Sequence, residues 1–126
     1  MKFASPQWCD SFKKALNDDK NLTSWFTDAP NFNYKFEIFA EGSGSFHLYF
    51  KKAMVDYCGP PQGDVEFVLG ADVDTWKKIA SGSDPASKLF TLGKVKVTKG
   101  PLDIIIKNVV ALDNVCGKVG LIGTEW

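Results

Sequence analysis

The chain has 126 residues, a formal net charge of zero at pH 7, and 44% hydrophobic against 24% charged residues. That length suits a single domain, residues 1–126, able to enclose one core without metal or disulfide staples, and the composition argues against disorder and membrane spanning. All fifteen basic residues are Lys; without Arg and without net positive charge, the chain lacks the guanidinium forks and the electrostatic footprint that nucleic-acid binding uses.

Ser5-Pro6 reads as an N-cap followed by Pro at the first helical position, and Trp8, Cys9, Phe12, Ala15 and Leu16 recur at helical spacing. From Tyr34 the period drops to two: Tyr34, Phe36, Ile38 and Ala40 oppose Lys35, Glu37 and Glu41, with Phe39 the exception. "EGSGS" supplies a turn, and a long second strand is predicted from Ser45 to Tyr57, with a bulge at Lys51-Lys52 where the apolar phase shifts. "CGPPQG" ends that strand, and Val65, Phe67 and Leu69 give a third, completing an antiparallel meander.

Asp72 or Asp74 caps a helix that carries Val73, Trp76, Ile79 and Ala80 on one side and stops at Gly82. After the loop, Lys94, Lys96 and Thr98 alternate with Val95 and Val97 in a fourth strand. Gly100-Pro101 resets the chain for an almost all-round apolar helix with Leu102, Ile105, Ile106, Val109, Val110 and Leu112; β-branching keeps a strand open for residues 103–107.

The stretch "DVDTWKKIASGSDPASKLFTLGKVKVTKG" carries a further signal. Trp76 on an acid-rich helix, Gly82, Asp84-Pro85, Phe90, Gly93-Lys94 and the basic strand Val95 to Gly100 follow one another in an order that resembles the sterol carrier protein 2 domain family. The resemblance implies an α+β fold: a five-stranded mixed, mainly antiparallel sheet with helices covering one face, and a hydrophobic tunnel between the layers that takes lipids or acyl chains. Leu89, Phe90 and Leu92 would close part of its wall, and the tunnel-lining candidates are Phe46, Leu48, Phe50, Trp76, Ile79, Phe90, Ile105, Ile106, Val109 and Val110. Periodicity alone does not distinguish a hollow interior from a filled one.

The expected function is binding or transfer of lipids or other hydrophobic small molecules, without catalysis and without a cofactor or metal. A twelve-carbon chain gains about 10 kcal/mol on leaving water, against association costs of about 4–15 kcal/mol, so micromolar affinity needs no charged anchor. The alternative is an accessory domain that dimerises or binds a partner enzyme through an apolar groove. Lys94, Lys96 and Lys99 offer a face to anionic membrane or an acidic partner protein, with a solvated face as the simpler reading. Gly82, Gly93 and Gly100 bracket the segments expected to gate the tunnel.

Catalytic readings find little. No Gly-x-Ser-x-Gly elbow, Walker A or Gly-x-Gly-x-x-Gly pattern occurs, and His47, the sole histidine, falls on the outward side of its strand. Cys9, Cys58 and Cys116 are odd in number and widely spaced, which suits buried free thiols. The first residues hold no apolar run of signal-peptide length, no stretch reaches the roughly 18 apolar residues of a spanning helix, and the ending "GTEW" is not a peroxisomal address, so a cytoplasmic location is expected.

Overall fold

The computed structural model describes residues 1–126. Helix α1 (Pro6–Asn17) starts where the Ser5 hydroxyl accepts from the Trp8 N–H at 3.2 Å, with Pro6 in the first turn, where no N–H is needed. Its face of Trp8, Cys9, Phe12 and Leu16 is buried, and a 3-10 turn, Leu22–Trp25, then tucks Leu22 into the core.

The strands are β1 (Lys35–Glu41), β2 (Gly44–Lys51), β3 (Met54–Gly59), β4 (Phe67–Asp72) and β5 (Lys96–Lys99), in the order β3-β2-β1-β4-β5. All neighbours are antiparallel except β1 and β4. The mixed, mainly antiparallel five-stranded sheet implied by the resemblance is therefore present, but two details of the sequence reading are corrected.

First, the long strand from Ser45 to Tyr57 is a hairpin. Lys52 and Ala53 both take positive φ, 52° and 60°, and reverse the chain between β2 and β3. Each costs about 1–2 kcal/mol as a non-glycine residue in this region, and the turn is held by Lys52 N donating to Asn33 Oδ1 at 2.8 Å and Ala53 N to Phe32 O at 3.0 Å. Second, the strand expected to close the meander is β4, which lies beyond β1 and runs parallel to it. The intervening segment, residues 60–66, crosses the outer face of the sheet: Gln62 bonds to His47 and Tyr49, and Glu66 to Lys35. Its prolines suit a segment that pairs with no strand.

Helices cover the other face: α2 (Val73–Ser81), α3 (Ala86–Thr91), α4 (Leu102–Lys107) and α5 (Val109–Gly117). Asp72 caps α2 by accepting from Thr75 N at 2.8 Å, and Gly82 ends it at φ 79°, a left-handed conformation that glycine takes without steric cost. The single apolar helix expected after Pro101 is helical but breaks at Asn108. The buried Asn108 side chain accepts from Thr27 N at 3.0 Å and donates to Ile104 O at 3.0 Å and Asp28 Oδ2 at 3.2 Å, which ties the break to the loop before β1.

Phe36, Ile38 and Ala40, Phe46, Leu48 and Phe50, and Phe67, Leu69 and Ala71 form the buried inner face of the sheet. Beneath α1 it is filled by rings: Phe46 lies 5.0 Å from Trp8, 5.8 Å from Phe12 and 5.7 Å from Phe3 between centroids. A second group joins Phe50 to Phe26, Phe32 and Phe36 at 5.3, 5.4 and 5.8 Å. Such tilted and edge-on pairs add to the gain from burying their area. The C-terminus closes the same end, with Trp126 stacked on Phe3 at 5.0 Å and Trp8 Nε1 donating to Thr124 Oγ1 at 2.9 Å.

Candidate functional site

The space not filled by rings lies at the other end of the sheet, under the short helices. Val97 of β5 and Val95 just before it alternate with Lys94 and Lys96, and with Leu69 of β4 they form the floor of a cavity of about 80 Å³. Ala86, Ser87 and Phe90 of α3 form one wall; Ile105 and Ile106 of α4 and Val109, Leu112, Asp113 and Cys116 of α5 form the others. Ten of the twelve lining residues are hydrophobic, so the cavity selects for apolar surface.

Its mouth is marked by apolar side chains left in water: Ile106 is 64% and Val109 38% exposed, with Val110 at 60% and Leu102 at 47% on the same two helices. Adjoining exposed apolar residues of this kind mark contact or binding sites. The polar contribution to the wall is one bonded pair: Ser87 N donates to Asp113 Oδ1 at 2.8 Å and Ser87 Oγ to Asp113 Oδ2 at 2.6 Å. Burial, then the Asp113 charge, pushes the Cys116 thiol up to about 12, so it lines the cavity as a neutral, unreactive group.

Of the residues proposed from sequence, the fold brings Phe90, Ile105, Ile106 and Val109 together around the cavity. Val110 lies beside the mouth, outside the lining. Phe46, Leu48, Phe50, Trp76 and Ile79 are buried elsewhere, in the ring-filled part of the core, although Ile79 also reaches a neighbouring polar cleft. Of the three loop residues, Phe90 lines the cavity, Leu89 is buried outside it, and Leu92 is 62% exposed. Lys94, Lys96 and Lys99 line neither cavity nor cleft, and Lys96 stands 3.8 Å from Glu41.

His47 faces away from the helices, as alternation requires, yet is 1% exposed because residues 60–66 cover it. Gln62 N donates to its Nδ1 at 3.1 Å, which leaves the Nε2–H to donate to Glu37 Oε1 at 2.9 Å, and Tyr49 Oη donates to Gln62 O at 2.5 Å. Nδ1 is thus spent on holding the crossing segment and Nε2 on Glu37 of β1. The three thiols are buried; the neighbouring Cys9 thiol, together with burial, holds the Cys58 proton far above the usual thiol range. No three His, Cys, Asp or Glu side chains converge as a metal would require, and no helix is long and apolar enough to cross a membrane.

The profile of the SCP-2 sterol transfer family matches residues 12–112. The chain belongs to this family. No curated protein matches its sequence. Among solved structures, it is similar to a crystal structure of sterol carrier protein 2, with a TM-score of 0.82 at 13% identity, covering 97% of this chain and 100% of that one. It is also similar to the apo form of sterol carrier protein 2 from Yarrowia lipolytica, with a TM-score of 0.54 at 22% identity over 94% and 92% of the two chains. Palmitated SCP2L2 from Aedes aegypti gives a TM-score of 0.52 at 17% identity over 89% and 94%. At these identities the likeness to each structure is one of fold. SCP-2 family membership and this fold together support lipid binding or transfer in general.

Proposed function

We propose that this SCP-2 family member binds single hydrophobic molecules in the cavity between β4–β5 and α3–α5, and carries them by sheltering their apolar surface from water. The observation that supports this reading is a wall almost wholly apolar whose mouth leaves Ile106 and Val109 in solvent. At about 80 Å³ the cavity is smaller than the roughly 150 Å³ void that takes a benzene ring. A long chain or sterol therefore enters only if part of the wall moves.

The movable part is the helical one. Helices α3 and α4 have six residues each, too short to be stable alone, so their positions depend on packing that a ligand can replace. Gly82 and Gly93 bracket α3, and Gly100 precedes α4. Asn108 and Lys107, bonded to Thr27 and Asp28, anchor the far end of α4 and define the pivot. The ring-filled core beneath α1 stays closed.

Extraction of the purified protein with organic solvent, followed by mass spectrometry and by titration with a fluorescent dodecyl probe, tests this. Co-purified lipid, or saturable probe binding with one site per chain, is expected. A protein that carries no lipid, binds no probe and instead dimerises or captures a protein through the α4–α5 face contradicts it and favours the accessory-domain alternative.

A further inference from the structure

The polar end of the cavity is chemically one-sided. Ser87 spends both its N–H and its hydroxyl proton on the Asp113 carboxylate, so the pair offers a ligand acceptors and no donor. The carboxylate has about four acceptor positions and Ser87 fills two, which leaves capacity for a second donor. No Lys or His lines the cavity, the chain has no Arg, and no ion pair forms with Asp113.

Asp113 also belongs to the adjoining polar cleft of about 260 Å³, together with Asp84, Asn114 and Gly117. There Lys88 holds Asp84 at 2.7 Å, and Asn114 Nδ2 donates to Val110 O at 2.9 Å. The unpaired charge where apolar cavity meets polar cleft is thus the Asp113 carboxylate. An amphiphile with its tail in the cavity and its head in the cleft would bring the head to that group, which lines both.

On the footing that the cavity is the binding site, we infer that Asp113 selects the head group: the site takes single-chain lipids that end in a donor, a long-chain amine above all and then an alcohol, and turns away those that end in a carboxylate. A fatty carboxylate would lose its hydration to a wall with no cation and no free donor, beside a like charge. An ammonium or hydroxyl replaces its lost water with the open acceptor positions of Asp113.

The test is calorimetric titration at pH 7 with dodecylamine, dodecanol and dodecanoate, which share one tail. The expected order is amine, then alcohol, then carboxylate, with amine over carboxylate by at least about tenfold, or about 1.4 kcal/mol. Asp113→Asn, which keeps the shape and still bonds to Ser87, should bring amine and carboxylate to within about threefold, one-half log unit, with dodecanol little changed. Ser87→Ala, which loses the hydroxyl bond and keeps the amide bond and the charge, should preserve the order; thermal melts check that both variants fold. Equal binding of all three by the native protein, or an undiminished preference for amine over carboxylate in Asp113→Asn, overturns the head-group assignment alone. Failure of all three to bind overturns the cavity reading as well.

Discussion

Ser87 and Asp113, 26 residues apart, are joined twice: the amide and the hydroxyl of one donate to the two carboxylate oxygens of the other, at 2.8 and 2.6 Å. The pair pins the first turn of α3 to the middle of α5, across the wall of the cavity. Ser87→Ala keeps the amide bond and loses the hydroxyl one, so it should cost about 1–2 kcal/mol in a denaturant titration. Amide exchange should speed up over residues 86–92 and stay unchanged in β1 and β2.

Filling the cavity should abolish binding while sparing the fold. Ala86→Phe and Val97→Phe place a ring where a ligand tail would lie, and both positions are only half-buried, so the ring can be accommodated. Affinity for a dodecyl probe should fall at least about tenfold, a loss of about 1.4 kcal/mol. Phe46→Leu, in the packed rings, should instead lower stability by about 1–3 kcal/mol and leave affinity within about twofold.

Asn108 is buried at the break between α4 and α5, and its side chain bonds to Thr27 N, Asp28 Oδ2 and Ile104 O. Asn108→Ala should destabilise the protein by about 1–3 kcal/mol, because Thr27 N loses its partner and the amide no longer ties the break to Asp28. Chemical denaturation gives the number. Faster exchange confined to α4 and residues 27–28 would distinguish a loosened pivot from general softening.

The Cys116 thiol, pushed up to about 12, is almost wholly protonated near neutral pH. With a free thiol near 8.5, the folded state binds the extra proton between those two values. Its contribution to stability is therefore complete below about pH 8.5 and is lost as pH rises toward 12. Native protein should react with a thiol reagent at pH 8 orders of magnitude more slowly than unfolded protein. Stability of Cys116→Ser should fall less steeply above pH 9 than that of the native chain.

What the sequence made legible was local. Ser5-Pro6 and the Trp8, Cys9, Phe12, Leu16 face define α1, Asp72 and Gly82 bound α2, and the order of signals around Trp76 and Phe90 carries the family. What it hid depends on distant partners. The Lys52-Ala53 turn uses two residue types that seldom take positive φ, and it persists because Asn33 and Phe32 hold it. The break at Asn108 requires Thr27 and Asp28, and the burial of His47 requires a segment crossing over it.

The candidate site divides along the same line. Phe90, Ile105, Ile106 and Val109 meet at the cavity, whereas Phe46, Phe50 and Trp76 sit among other rings; an apolar stripe looks the same in either setting. Val95 and Val97, alternating with lysines, did signal a covered face. Leu112 belongs to the apolar helix and Cys116 reads as a buried thiol, but the sequence marks neither as lining; Ala86 carries no mark of its own, and nothing local joins Ser87 to Asp113.

The placement of the ligand is read most directly by NMR on the labelled protein with a dodecyl chain that bears a nitroxide at its tail. Line broadening is expected at Leu69, Phe90, Val97, Ile105 and Val109, with the signals of Trp8, Phe46 and Phe50 intact. Broadening centred on Trp8 and Phe46, or none at saturating chain, would contradict a binding site under α3–α5.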